Sequence, residues 1–83
     1  MNISYEYYRI FYYAAKYRNL TLAAEMLHSS QPNISRTIRL MEEELGCRLL
    51  IRSNRGISLT PEGEKLYSHV RIAVGQLQRA EEE

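Results

Sequence analysis

Apolar positions recur along this chain with a helical period, then a short strand-like one, then a helical one again. From Ser4 to Tyr17, Tyr8, Phe11, Tyr12 and Ala15 stand at i, i+3, i+4 and i+7, one face of an amphipathic helix. A second, short helix is expected through about Leu27, capped by Asn19 or Thr21, with Leu20, Ala23, Ala24 and Leu27 turned inward. The adjacent small residues Ala23 and Ala24 let a crossing helix approach closely. Ser29-Ser30 then supplies a turn and a cap, and Pro32 fits the first turn of a third helix, where a missing N–H has no cost. On that helix Ile34, Ile38, Met41 and Leu45 follow at spacings of four, three and four, and Gly46 suits its end.

The period then changes. Leu49-Leu50-Ile51 and Ile57-Ser58-Leu59 read as two short strands around the turn Ser53-Asn54-Arg55-Gly56, with Gly56 or Asn54 free to take positive φ. Such a hairpin is marginal alone, so it must lean on the helices through Leu49 or Leu59. Thr60 as N-cap, Pro61 at the first helical position and Glu62 in the first turn open a final helix. Along it Leu66, Val70, Ala73, Leu77 and Ala80 alternate spacings of four and three, the seam of a helix that pairs with another or packs back onto its own domain.

The architecture this order predicts is mainly α: a winged helix-turn-helix over residues 1–60, three helices and a two-stranded β wing, followed by a long helix over 61–83 for dimerisation. Eighty-three residues allow one small domain, which buries only about 60% of its unfolded surface. There is no apolar run of membrane-spanning length and no basic, then apolar, leader at the N-terminus. One cysteine excludes an internal disulfide framework. A cytoplasmic protein is expected. The run Glu81-Glu82-Glu83 carries no capping residue and reads as a cut within a longer protein.

A net charge of +1 says little, but its distribution says more. No acidic residue lies between Glu25 and Glu42, where Arg36 and Arg39 stand, or between Glu44 and Glu62, where Arg48, Arg52 and Arg55 stand. A locally basic surface inside a near-neutral chain suits a polyanion. At about 100° per residue, Pro32, Ser35, Arg36 and Arg39 fall opposite the apolar stripe of the third helix, as a DNA-reading helix needs. Glu42, Glu43 and Glu44 oppose the dipole at its end unless Arg39 or Arg48 offsets them.

Catalysis and metal binding find little support. His28 and His69 are far apart, no His/Cys/Asp/Glu cluster has ligand spacing, and no Gly-rich phosphate loop or nucleophile motif is present. No cofactor is expected. His28 reads as a cap or surface residue, and Cys47, beside Leu49-Leu50-Ile51, as a buried small hydrophobe. The six tyrosines of the first segment are a ring stripe better suited to core than to base stacking. Arg36 and Arg39 have the donor geometry for guanine edges or phosphates, and Gln31 and Asn33 can read adenine or bond phosphate. Thr21, Ser30 and Ser35 suit backbone contacts, and Arg52 and Arg55 would reach adjacent phosphates or a narrow minor groove.

The runs AAEMLHSSQPNISRTIRLMEEELG, RLLIR, RGISLT and PEGE, together and in this order, resemble the N-terminal DNA-binding domain of LysR-type transcriptional regulators. The resemblance covers essentially the whole chain. It implies a winged helix-turn-helix with a linker helix that dimerises, binding double-stranded DNA at an interrupted palindrome. It also implies a C-terminal effector-binding domain, for a small molecule, that this chain lacks. The positions it assigns to DNA contact are Thr21, Gln31, Pro32, Asn33, Ser35 and Arg36, with Arg52 and Arg55 on the wing. Asn33 stands where a small or apolar residue is common, which bears on base preference. Leu50 replaces a frequent phenylalanine, and the first helix is unusually rich in tyrosine. The competing reading is a winged helix used for protein–protein contact, in which Arg36, Arg52 and Arg55 are tied up in ion pairs.

Overall fold

A computed structural model describes residues 3–83. It contains α1 (Tyr5–Tyr17), α2 (Leu20–Met26), α3 (Gln31–Leu45), β1 (Leu50–Ser53), β2 (Gly56–Leu59) and α4 (Pro61–Glu82). Each helix start is capped by a side-chain oxygen: Ser4 accepts from the Tyr7 N–H, Asn19 from Leu22, Ser30 from Asn33 and Thr60 from Gly63. Of the two candidates for the second cap, Asn19 holds the position and Thr21 lies inside the first turn of α2.

The helix ends follow a rule that only partly depends on glycine. Gly46 closes α3 at φ 73°, as its position predicts, while Arg18 and His28 take the same left-handed conformation after α1 and α2. At His28 the pattern is that of a Schellman motif, with the His28 N–H on the Glu25 carbonyl and the Ser29 N–H on that of Ala24. His28 is thus an exposed helix-ending residue, in keeping with its expected role.

α1 packs on α2, α3 and α4, and α2 packs on α3. The core joins Ile10, Phe11, Ala14 and Ala15 of α1 to Leu20 and Ala24 of α2, and to Ile34, Ile38 and Met41 of α3. Leu49, Leu50 and Leu59 from the wing and Val70 and Val74 from α4 complete it. The α3 stripe holds as read, with Leu45 only half-buried and Thr37 buried beside it. On α1 the stripe is rotated: Ile10 and Ala14 are buried, while Tyr8 and Tyr12 are half-buried. The reason is room. The rings cover the rim between α1 and α4, with Tyr12 stacked on Tyr67 at 6.1 Å and edge-on to Tyr13 at 5.3 Å. Lys16 lies over the Tyr12 and Tyr17 rings, and Tyr12 raises its pKa above the ordinary lysine value. The tyrosines of α1 are packing and cation–π partners.

The wing is antiparallel, with Leu50 opposite Leu59, Ile51 opposite Ser58, Arg52 opposite Ile57 and Ser53 opposite Gly56. Its strands lie one residue later at β1 and one earlier at β2 than the apolar triplets indicate, and its turn tightens to Asn54-Arg55. Gly56, at φ 111°, takes the positive φ, and Asn54 does not. Both Leu49 and Leu59 anchor the hairpin, with Leu50.

Polar contacts lock the wing at its base. Oε2 of Glu42 accepts from the backbone N–H groups of Leu49 (2.8 Å) and Leu50 (3.3 Å), and Arg48 Nε lies 3.5 Å from the same oxygen. Thr60 donates its hydroxyl to the Arg48 carbonyl (2.6 Å) and its N–H to the Leu49 carbonyl (3.0 Å). Gly63, buried in the first turn of α4, passes so close to the Leu49 carbonyl that a Cβ there would overlap it. Cys47 is half-buried against the core rather than fully enclosed. Among the described residues no helix is long and apolar enough to cross a membrane, and no group of His, Cys, Asp and Glu is placed to hold a metal ion.

Candidate nucleic-acid interface

The outward side of α3 is set by the burial of Ile34, Thr37, Ile38 and Met41. Opposite them Pro32, Arg36, Arg39 and Glu43 are exposed, at helical spacings of four, three and four. Gln31, Asn33 and Ser35 flank this stripe, half-buried. The arginines therefore occupy the N-terminal and middle turns, and the glutamates the last, with Glu42 rotated inward to the wing.

The polar side chains of the first turns are joined to one another. Arg36 Nη2 donates to Asn33 Oδ1 at 2.9 Å, and Asn33 Nδ2 donates to Ser29 Oγ at 2.9 Å. Gln31 Nε2 donates to Ser35 Oγ at 3.3 Å. The Ser30 hydroxyl caps the helix from Asn33 N–H at 3.3 Å, and so has an acceptor role independent of any ligand.

Arg39 and Arg52 meet across a groove of about 560 Å³ between α3 and the wing, which Arg48, Glu42 and Glu43 also line. This places the middle of α3 and β1 along one groove, lined by three arginines and two glutamates. Arg48 is the arginine of that groove absent from the expected set; its signal was the acid-free stretch after Glu44, which it shares with Arg52 and Arg55. Arg55 lies at the exposed tip of the wing and Thr21 on the exposed first turn of α2. No side-chain hydrogen bond among the described residues joins either to the rest of the set. Arg36, Arg39, Arg52 and Arg55 make no ion pair among the described residues; Arg48 pairs with Glu42.

The proposed pairing seam on α4 is divided by the fold. Val70 is buried in the chain's own core and Leu66 is half-buried, while Ala73, Leu77 and Ala80 remain exposed. Val74, one position beyond the heptad choice, is the second core contact of α4. The buried side of α4 therefore runs through 70 and 74, one turn apart, and leaves 73 turned outward. Leu77, 45% exposed, shares its side of α4 with Ala73 and Ala80, while Ile72, 55% exposed, lies on a different side of the helix.

Comparison with known proteins gives one consistent answer. The family model described as bacterial regulatory helix-turn-helix protein, lysR family, matches residues 5–64. The chain is 43% identical over 63 residues to the nitrogen assimilation regulatory protein nac of Escherichia coli (strain K12), covering 76% of this chain and 21% of that protein. It is 37% identical over its full 83 residues to the RuBisCO operon transcriptional regulator of Allochromatium vinosum, 27% of which is covered. Among solved structures, the BenM_DBD/catB site 1 DNA complex superposes with a TM-score of 0.87 at 32% identity, over 94% of this chain and 87% of that one. The chain spans about a fifth to a quarter of the length of these curated relatives. With four helices and a two-stranded wing in the order the motifs require, the chain belongs to the lysR family of bacterial regulatory helix-turn-helix proteins.

Proposed function

We propose that this chain is the DNA-reading part of a transcription regulator, with residues 1–60 as the reading head and α4 as the linker that pairs two copies. α3 enters the major groove, and Arg36 and Arg39, with Gln31, Pro32, Asn33 and Ser35, face the bases and nearby phosphates. Thr21 and Ser30 bond the backbone, and Arg52 and Arg55 reach flanking phosphates or the minor groove. Two heads joined through Ala73, Leu77 and Ala80 sit about one turn, ~34 Å, apart on an interrupted palindrome. The activity is reversible binding without bond-making chemistry, in the cytoplasm. The remaining length of the full protein carries a small-molecule effector site.

The observation that carries this reading is the unpaired arginine face of α3 beside a basic wing, in a fold shared with a protein solved on its DNA. A module used only for protein contact expects Arg36, Arg52 and Arg55 to be neutralised within the chain, and none is so paired among the described residues. Selection from a pool of random duplexes tests the proposal. The expected result is enrichment of two inverted half-sites about ten base pairs apart, with affinity falling steeply as salt rises. No retention of any duplex at low salt would overturn it.

A further inference from the structure

The hydrogen-bond chain from Ser29 through Asn33 to Arg36 runs along the outward side of the reading helix. We infer that Asn33 is a positioning residue: it aims the Arg36 guanidinium and so sets base preference through Arg36, without reading a base itself. This rests on the reading of Arg36 as a base contact.

The geometry holds the Asn33 amide at both ends. Its Oδ1 accepts from Arg36 Nη2 and its Nδ2 donates to Ser29 Oγ, both at 2.9 Å. Only the oxygen can face a guanidinium, which has no acceptor, so the amide orientation is chosen by the network. Both ends of the amide are thus engaged, and the side chain is half-buried. A direct adenine contact needs the oxygen and nitrogen together, and with one lone pair and one N–H already committed, the amide would have to offer its second ones to the base in the orientation that Arg36 and Ser29 impose. Arg36, by contrast, is exposed and spends one of its five N–H donors on Asn33. Four remain, enough for a two-pronged contact to a guanine edge. An exposed arginine otherwise samples many rotamers, and fixing one end in advance lowers the entropy lost on binding.

Ser29 supports Asn33 from the preceding turn, where the left-handed His28 turns the chain from α2 into α3. The buttress therefore springs from the turn of the helix-turn-helix, and its orientation is tied to the α2–α3 junction.

The test compares selected-sequence profiles and affinities for Asn33→Ala, Asn33→Asp, Arg36→Ala and the double variant Asn33→Ala/Arg36→Ala, each first shown by circular dichroism to be folded. Asn33→Ala is expected to relax preference at the same base positions as Arg36→Ala and nowhere else. Its affinity for the preferred site should fall on the order of threefold to tenfold, the worth of about one side-chain hydrogen bond. The double variant should be no weaker than Arg36→Ala alone. Asn33→Asp keeps an acceptor for the guanidinium, so it should retain the wild-type profile while binding all sequences more weakly near the phosphates. A change at a different base position, or an Asn33→Ala effect that persists undiminished without Arg36, would overturn the inference in favour of direct reading. Unchanged preference in Arg36→Ala would overturn the base-reading role of Arg36, and this inference with it.

Discussion

The side chain of Glu42 lies on the last turn of α3, where a negative charge opposes the helix dipole, yet its Oε2 accepts two backbone N–H groups from Leu49 and Leu50. The unfavourable placement is offset by satisfying donors that the start of the wing would otherwise leave without partners. Glu42→Ala removes the acceptor and should destabilise the fold by about 1–3 kcal/mol, with Glu42→Gln falling between it and the parent. Urea unfolding at one protein concentration checks this, and equal midpoints for the alanine variant and the parent would refute the role. From the residues alone, Glu42 is indistinguishable from Glu43 and Glu44. Which of the three turns inward depends on the path of the chain after Gly46, a matter of tertiary contact rather than composition. The exposed stripe of Pro32, Arg36 and Arg39, in contrast, follows from period alone, because four apolar residues define the opposite side.

At the scale of elements, the wing and α4 meet backbone to backbone, with Gly63 against the Leu49 carbonyl. Thr60 closes the junction with three bonds, capping Gly63 and holding the carbonyls of Arg48 and Leu49. Gly63 allows the helix backbone to pass against Leu49. Gly63→Ala improves intrinsic helix propensity, but the added methyl overlaps backbone that has no rotamer by which to yield. Overpacking should win by about 1–3 kcal/mol or more, lowering the melting temperature by roughly 4–8 °C per kcal/mol. A thermal melt that moves upward would mean that the approach relaxes freely. Thr60 and Pro61 announce the helix start in the sequence, but a glycine in a first helical turn carries no local reason for being there. Its reason is the neighbour that the fold brings in. The wing's register shows the same division: short apolar runs around a turn located the two strands, while the burial of both Leu49 and Leu50 set where the ladder begins.

For the whole molecule, α4 is the element with two different sides. Val70 and Val74 anchor it in the chain's own core, and Ala73, Leu77 and Ala80 leave another side of it exposed. If that surface joins two copies, Leu77→Lys leaves the domain folded, since Leu77 is exposed within one chain, and shifts it to a monomer. Sedimentation should show the mass of one chain, and DNA affinity should fall because the two half-sites no longer act together. An unchanged dimer would place pairing elsewhere on the chain.

Period, caps and charge spacing in the sequence determined four helices, a hairpin, the order of parts and the outward arginines, because these depend on neighbours within one or two helical turns. The family resemblance rests on the same local runs. The tertiary structure decided which of several equivalent residues does what. It turned Glu42 inward, required a glycine at 63, split the α4 seam between core and open surface, and tied Asn33 into the line from Ser29 to Arg36. Each depends on a distance between chain segments or on the choice of one rotamer among several. Such quantities come into being only when the segments meet.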